Sequence, residues 1–306
     1  MALAWGAWLT ICLVWGTTYL AIRICLETMP PALMGALRWL PAGALLAIGL
    51  SVRRAPWPHI RRWPRLAWTA LLLIGLGNGG VVWAEQYVPS GLTAVIVATV
   101  PFWMVAVEAV SPDGERLTAH TFVGLLVGFG GILLLVWPEV RERGAHAVQF
   151  GWGIVALQIA CAGWALGSTQ SRRHAAEDGV AASTALQMVF GGVLMLIVGL
   201  LAGELKNLSF TWRTGAALAY LIGAGSIGGF LAYAYALRHL PVSTVALYAY
   251  VNPVIAVTLG AAMLGEPLTV PIGVAAGLVL LGVAIVRLPR GVSTAKGGAG
   301  APERSR

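Results

Sequence analysis

The sequence predicts an all-α membrane protein with ten transmembrane helices, arranged as two inverted five-helix repeats. Three observations lead to this prediction. First, the chain of 306 residues is 58% hydrophobic and only 10% charged, whereas a soluble domain carries about 25% charged residues. Second, its apolar runs have the length of a helix that crosses a bilayer. Third, segments of the first half of the chain recur in the second half.

Ten apolar runs are long enough to cross a membrane, since a helix needs about 20 apolar residues to do so. Polar residues or prolines separate the runs, as in YVPSG at 87–91. A transmembrane β-barrel is not favoured, because its strands would appear as shorter segments of alternating polarity. We place the spans near 5–26, 32–51, 66–84, 92–110, 119–137, 151–171, 180–202, 214–237, 243–263 and 270–288.

Positive charges indicate which side of the membrane each loop faces, because cytoplasmic loops carry an excess of Lys and Arg. With both termini inside, 14 of the 20 Lys and Arg lie on the inner side and Arg38 lies within a span. We therefore predict a multi-pass protein of the cell inner (plasma) membrane with both termini in the cytoplasm. Residues 289–306 are polar and Gly-rich, which predicts a disordered cytoplasmic tail. The outer residues are Arg23, Arg141, Arg143, Lys206 and Arg213.

The two halves of the chain share a pattern that repeats after about 150 residues. VPSGLTAVIVATVP at 88–101 matches LPVSTVALYAYVNP at 240–253, and GERLT at 114–118 matches GEPLT at 265–269. A half with five spans begins and ends on opposite sides of the membrane, so the second half enters inverted. Inverted repeats are typical of secondary transporters, which bind substrate near the midplane. We interpret the glutamates of GERLT and GEPLT, Glu115 and Glu266, as helix caps or loop charges.

Glycines four residues apart recur as well, which is the small-residue signal for close packing of membrane helices. The pairs are Gly75 with Gly79, Gly225 with Gly229, Gly124 with Gly128, and Gly273 with Gly277.

Four further motifs carry a resemblance to a known family. They are LVWGTTYLAIR at 13–23, PPALMGALRWLPAG at 30–43, GNGGVVWAEQYVPSGLTAVIVATVP at 77–101, and LPVSTVALYAYVNPVIAVTLGAAMLGEPLT at 240–269. With these motifs the chain resembles the drug/metabolite transporter (DMT) superfamily, in the branch with two EamA domains and its YedA-like exporters.

The resemblance implies an EamA repeat at 5–140 and a second at 150–288, each with five transmembrane helices. It also implies a central cavity lined by the first, third, fourth, sixth, eighth and ninth helices. Members of the superfamily export amino acids, related metabolites or amphipathic compounds, and others exchange sugar phosphates or nucleotide sugars. Glu108 departs from the family pattern, because a small or apolar residue is expected there.

Five residues are predicted to bind substrate: Trp15, Asn78, Trp164, Tyr248 and Asn252. Trp15 and Trp164 are equivalent mid-span residues whose indoles can stack on a ring or attract a cation, although helix packing accounts for them equally well. Tyr248 lies one turn from Asn252 on the same helical face. Asn78 and Asn252 are polar groups within apolar spans, which either join helices or line a pathway.

Four residues are predicted to serve gating or coupling: Arg38, Glu85, Pro101 and Pro253. The prolines fall at equivalent places in the fourth and ninth spans, where proline removes a backbone donor and bends a helix. A static kink that improves packing is the alternative. Arg38 and Glu85 are charges inside or at the edge of spans, where charges are costly and usually functional. They either form a structural ion pair or act directly, with Glu85 the first candidate for proton coupling.

Several function classes lack the residues that they require. No GxxxxGK[ST] loop is present, so ATP is not expected to drive the protein directly. No HExxH or G-x-S-x-G motif is present either, and the three cysteines are isolated. We therefore expect no enzyme activity, metal or other cofactor. Nucleic acid is not an expected partner, because no basic stripe with interleaved aromatic residues occurs.

The sequence as a whole predicts an inner-membrane secondary transporter. We expect it to export small amphipathic metabolites (amino acids or related compounds) or drugs by alternating access through a central cavity. The alternatives are a facilitative channel-like permease and, less favoured, an intramembrane enzyme. The expected partners are a small-molecule substrate, the lipid bilayer and protons, with the protein acting as a monomer or homodimer.

Overall fold

The described part of the chain is given by a computed structural model. It comprises residues 1–110, 123–124, 126–127, 130–131, 147–174, 179–240, 245, 248–266 and 269–287. The side chain of Glu108, most of the predicted fifth span at 119–137, the GERLT motif and the predicted tail at 289–306 lie outside it.

All regular structure in the described residues is helical, which confirms the all-α prediction. Two π-helical segments, Leu71–Asn78 and Leu221–Gly228, each connect two α-helices into one longer rod. The α-helices are α1 (Ala2–Cys25), α2 (Pro31–Val52), α3 (Trp63–Ala70), α4 (Gly79–Ala84), α5 (Ser90–Val97), α6 (Val100–Ala109), α7 (Ala147–Arg173), α8 (Val180–Leu201), α9 (Trp212–Tyr220), α10 (Gly229–His239), α11 (Tyr248–Leu264) and α12 (Val270–Arg287).

Seven helical stretches of the described chain are long and apolar enough to cross a membrane. They match the first four predicted spans and the sixth to eighth, so the multi-pass helical architecture is confirmed. Helices α11 and α12 occupy the predicted ninth and tenth spans, and the total of ten stays a prediction. The seven stretches are Ala2–Cys25, Pro31–Val52, Ile60–Ala84, Ser90–Val107, Val148–Arg173, Val180–Leu201 and Trp212–His239.

The two π-helical segments occupy equivalent positions in the two halves. Each has eight residues, and Leu221–Gly228 follows Leu71–Asn78 at the shift of about 150 residues that relates the sequence motifs. A π-helix carries its hydrogen bonds to the fifth residue instead of the fourth, and such distortions occur frequently at functional sites. The first π-helical segment begins with LLLIG and the second with LIGAG. Both are ordinary apolar sequences, so the sequence did not predict the π-helical segments.

The helices of one half pack reciprocally against those of the other. Helix α2 lies along its counterpart α8. Helix α1 contacts the α9–α10 rod and α11, while its counterpart α7 contacts the α3–α4 rod and the α5–α6 pair. Such reciprocal contacts are what a two-fold relation between the halves would produce, and the inverted repeat stays a prediction.

Glycines permit the close approach of α2 and α8. A Cβ on Gly43 would lie 2.9 Å from the backbone nitrogen of Val189, and a Cβ on Gly192 would lie 2.8 Å from that of Leu40. Such contacts are typical of small-residue packing between membrane helices. The glycines at 75, 79, 225 and 229 also face neighbouring side chains.

The packing role of Gly273 and Gly277 stays a prediction. Among the described residues, no atom lies within 4 Å of a Cβ built on either glycine. Both lie in α12, whose contacts in the described structure are few. Gly128 lies outside the described residues.

Glu266, in the GEPLT motif, caps the N-terminus of α5 in the other half of the chain. One carboxylate oxygen accepts hydrogen bonds from the Ser90 backbone N–H at 2.9 Å and from its hydroxyl at 2.8 Å. The other accepts from the Gly91 N–H at 3.0 Å. The first N–H groups of a helix have no intrahelical partner and favour negative charge, so this carboxylate stabilises α5 and joins the halves.

Candidate functional site

A cavity of about 70 Å³ lies between the two halves of the molecule. Its walls come from the first, third, fourth, sixth, eighth and ninth predicted spans, the set implied by the family resemblance, and also from the second span through Arg38. The structure thus brings all five predicted substrate-binding residues to one place. They are Trp15, Asn78, Trp164, Tyr248 and Asn252.

Aromatic rings form one side of this cavity, with the Trp15 indole at their centre. The Trp15 ring centroid lies 5.3 Å from that of Trp164 and 5.2 Å from that of Tyr248, both edge to face. Tyr233 at 5.1 Å and Phe230 at 5.6 Å complete the contacts of Trp15. These spacings are favourable for aromatic pairs. These rings pack the halves together, and all of them except Tyr233 also line the cavity. Trp15 and Trp164 therefore serve helix packing and the cavity wall at the same time.

The equivalent tryptophans lie against equivalent π-helical segments, each on the opposite half. Trp15 Nε1 donates a hydrogen bond of 3.0 Å to the Gly225 carbonyl. Trp164 lies against Gly77, where an added Cβ would come within 3.1 Å of the indole. The Nε1 of Trp164 is buried and has no hydrogen-bond partner. The hydroxyls of Tyr233 and Tyr248 lie near it, but neither accepts a hydrogen bond with adequate geometry.

Both asparagines line the cavity and also tie backbone together. Asn78 donates from its amide to the Leu73 carbonyl at 3.1 Å, within the first π-helical segment. In the amide orientation that suits its neighbours, Asn252 donates to the carbonyls of Cys12 at 3.0 Å and Tyr248 at 3.2 Å. Asn252 therefore joins α11 to α1 at the wall of the cavity. Each asparagine therefore holds backbone in place and also lines the cavity, so packing and pathway lining occur together at these residues.

Arg38 is buried in the second span, with 2% of its surface exposed, and lines the cavity. Its Nε donates to the Ser226 hydroxyl at 2.8 Å, and its guanidinium lies 4.4 Å from the centroid of the Trp39 ring. The Nη1 atom is buried and has no hydrogen-bond partner.

The ion pair considered between Arg38 and Glu85 does not form, so that prediction is wrong. Both Glu85 carboxylate oxygens are buried and lack hydrogen-bond partners. The physical reason is direction: the Arg38 guanidinium turns to Ser226 in the second half of the chain, whereas Glu85 follows the end of α4 in the same half as Arg38. Glu85 also does not line the central cavity. Arg23 donates to its backbone carbonyl, not to its carboxylate.

The two prolines differ in their local structure. Pro101 lies in the first turn of α6, just after a break at residues 98–99 that divides the fourth span into α5 and α6. Pro253 lies inside the continuous helix α11. Neither lines the central cavity; Pro253 lines a separate apolar cavity of about 470 Å³ beside α5 and α12.

Several lining residues were missed at the level of sequence. Thr18, Tyr19 and Ile22 follow Trp15 at helical spacings of three, four and seven, so one face of α1 predicts them once Trp15 is chosen. Phe230 follows directly after Gly229, which lies against Trp15. Aromatic residues in otherwise apolar spans give no signal of their own that separates a cavity wall from lipid contact.

Comparison with known proteins identifies a transporter family and individual transporters whose sequences are similar to this chain. Two consecutive segments, residues 3–137 and 151–288, match the model of the EamA-like transporter family. Over 292 residues the chain is 35% identical to YedA of Escherichia coli (strain K12), described as an uncharacterized inner membrane transporter, with 95% of this chain and 92% of that protein covered. It is 23% identical to the uncharacterized transporter YoaV of Bacillus subtilis (strain 168), with 90% and 93% covered.

A crystal structure of another protein has a similar fold. The TM-score is 0.68 at 22% sequence identity, and the match covers 93% of this chain and 97% of the other. At this identity the similarity concerns the fold alone.

Proposed function

The chain belongs to the EamA-like transporter family, and on that premise we propose that it exports small amphipathic metabolites or drugs by alternating access. Its class as a multi-pass transporter of the inner membrane follows from the family and from the apolar helices. The substrate, the direction and the mechanism are our proposal. The observation that carries it is the cavity between the halves, lined by every residue chosen for substrate binding.

The size of the cavity supports a mechanism in which the two halves move. Its volume of about 70 Å³ is well below the roughly 300–1,000 Å³ of sites that enclose a small molecule. A substrate of amino-acid size therefore requires the walls to separate. Two repeats that are inverted and related by a two-fold axis can rock about a fixed site, opening it first to the cytoplasm and then to the outside. The reciprocal packing of the halves supports this arrangement.

The chemistry of the walls supports amphipathic substrates, such as amino acids or related compounds. Trp15, Trp164 and Tyr248 offer aromatic surface, while Asn78 and Asn252 place polar groups beside it. Binding sites for small molecules usually combine a mainly apolar wall with a few placed polar groups.

Glu85 is the proposed site of proton coupling. Its carboxylate is fully buried and has no hydrogen-bond partner. An ionised carboxylate in such a place is costly, so the protonated form is favoured until a movement of the helices brings water or a partner. Loading and release of this proton on opposite sides would couple export to a proton gradient.

The first experiment identifies ligands and then measures flux. Detergent-purified protein is screened by thermal shift against amino acids, aromatic compounds and cationic drugs, and the hits are tested in liposomes. Saturable flux with counterflow supports a carrier, whereas non-saturable flux supports the alternative of a channel-like permease. Protein with Trp15 replaced by Ala should lose the saturable flux. Trp5→Ala is the matched control, because Trp5 lies on the same helix and is 48% exposed.

A further inference from the structure

We infer that the central cavity recognises a carboxylate group through Arg38, so that the preferred substrates are amphipathic carboxylates. This inference rests on the proposed function, and it assigns Arg38 a role in substrate recognition in place of gating or coupling.

The first observation is the state of the Arg38 guanidinium. The residue is 2% exposed, yet only its Nε has a hydrogen bond, to the Ser226 hydroxyl. Its Nη1 has none, and no carboxylate of the described residues forms a salt bridge with it. A guanidinium is charged at every physiological pH, so burial without a salt-bridge partner is costly, and Glu85 attracts Arg38 only from a distance. An anion bound in the cavity would remove that cost.

The second observation is the kind of polar atom that the cavity leaves unsatisfied. Among the described residues, two lining side chains have buried polar atoms without a partner: Arg38 with Nη1 and Trp164 with Nε1. Both atoms are hydrogen-bond donors, and neither can accept. A ligand that satisfies these two atoms must therefore supply hydrogen-bond acceptors. A carboxylate supplies two acceptor oxygens and the negative charge, and it can bind a guanidinium through both.

The third observation is that no Asp or Glu lines the cavity within the described residues. Glu85 is close enough to interact electrostatically with Arg38, but it does not belong to the lining. A cationic substrate would therefore have only aromatic faces to offset its charge and would lie beside Arg38. The aromatic faces of Trp15 and Tyr248 suit the apolar part of a carboxylate substrate.

Four related probes separate the charge of the ligand from its shape: 3-phenylpropanoate, its neutral amide, 3-phenylpropylamine, and the zwitterion phenylalanine. Binding to the purified wild-type protein is measured by thermal shift and calorimetry. We expect the carboxylate to bind at least ten-fold more tightly than the amide or the amine. In Arg38→Gln the carboxylate should lose at least ten-fold in affinity, while the affinity for the amide changes less than two-fold.

Two further variants serve as controls. Arg38→Lys keeps the positive charge and should retain part of the preference for the carboxylate, although it lacks the planar fork. Arg213→Gln changes the net charge equally at an exposed residue, paired with Glu27 at 3.2 Å, and should keep the full preference. Because the carboxylate-to-amide ratio is measured on one sample, it does not depend on the fraction of folded protein.

The inference is overturned if wild-type protein binds the amide or amine as tightly as the carboxylate. It is also overturned if none of the probes binds at millimolar concentration, or if Arg38→Gln leaves the ratio unchanged. Saturable transport of neutral or cationic compounds in those cases would leave the proposed function standing. Absence of saturable flux for any compound from the ligand screen would instead refute the proposed function.

Discussion

At the scale of single residues, the two equivalent tryptophans have different hydrogen-bonding states. Trp15 Nε1 donates to the Gly225 carbonyl, while Trp164 Nε1 has no partner. An unsatisfied buried donor costs roughly 1–3 kcal/mol. Trp15 is thus held in place as a wall of the cavity, whereas Trp164 Nε1, near the hydroxyls of Tyr233 and Tyr248, has no hydrogen bond of adequate geometry, and we propose that a ligand accepts from it.

Replacing Trp164 by Phe should weaken substrate binding about ten-fold, the equivalent of one hydrogen bond of about 1.4 kcal/mol, with little loss of stability. The phenyl ring keeps most of the packing, and no internal hydrogen bond is lost. The Kd for a ligand from the thermal-shift screen measures the effect. Trp152→Phe, on the same helix and 59% exposed, is the control. Equal affinities in the two variants would contradict the assignment.

Replacing Glu85 by Gln should abolish transport driven by a pH gradient but preserve counterflow exchange, because the amide cannot release a proton. Uptake into liposomes with and without an imposed gradient measures both activities. Glu27→Gln, at an exposed carboxylate, should behave like the wild-type protein. Gradient-driven transport that persists in Glu85→Gln would show that this carboxylate is not the coupling site.

At the scale of helices, irregular backbone is concentrated in the segments that line the cavity. The fourth span is broken between α5 and α6, the third and eighth spans contain the π-helical segments, and α11 contains Pro253. Helix α8 contains no proline, and α2, which contains Pro41, remains a continuous α-helix; the two pack along each other. Irregular backbone within a membrane is tolerated where protein or a cavity satisfies it, and it provides places at which a helix can bend. We therefore expect the lining helices other than α2 to bend, while α2 and α8, which pack along each other, remain together.

Replacing Pro253 by Ala should leave folding intact but lower the transport rate several-fold, because the restored hydrogen bond to the Ala249 carbonyl stiffens α11. Pro101→Ala should have a smaller effect, since Pro101 lies in a first helical turn, where no hydrogen bond is lost. Flux per folded protein measures both. Pro31→Ala, at the first residue of α2, is the control. Wild-type rates in well-folded Pro253→Ala and Pro101→Ala proteins would refute a gating role.

At the scale of the whole molecule, the contact between α2 and α8 holds the halves together. The backbones approach so closely that a methyl group at Gly43 or Gly192 would collide with the backbone of the facing helix. The contact pairs equivalent helices, as expected at a two-fold axis. If the proposed alternating access holds, we expect this contact to be the place about which the halves rotate.

Replacing Gly43 by Ala should destabilise the protein by about 1–3 kcal/mol, because the added Cβ would lie 2.8 Å from Val189 Cγ2 and 2.9 Å from its backbone nitrogen. Gly49→Ala is the matched control on the same helix. No atom of the described residues lies within 4 Å of a Cβ built there, so the substitution should be neutral or stabilising by up to about 1 kcal/mol. Thermal unfolding in detergent measures both, and equal melting temperatures would contradict the proposed contact.

The sequence by itself determined the membrane class, the approximate spans, the repeat and the group of residues that meet at the cavity. These properties follow from local composition, from run lengths and from motifs that recur along the chain. Trp15 and Trp164 were found because they occupy equivalent positions, and Tyr248 because it lies one turn from Asn252. The ends of α1, α2 and α8 lie within a few residues of the predicted spans for the same reason.

Only the tertiary structure decided which way each polar side chain turns. It directs Arg38 to Ser226 instead of Glu85, places Asn252 against the Cys12 carbonyl, and leaves the Trp164 donor free. The physical reason is that the spans are apolar on all sides, since lipid and protein interior are both apolar. Because such a helix has no polar face, its sequence does not show which side faces the other helices, that is, how the helix is rotated about its own axis. That rotation is set by close packing against glycines of the other half, and it decides which polar atoms meet.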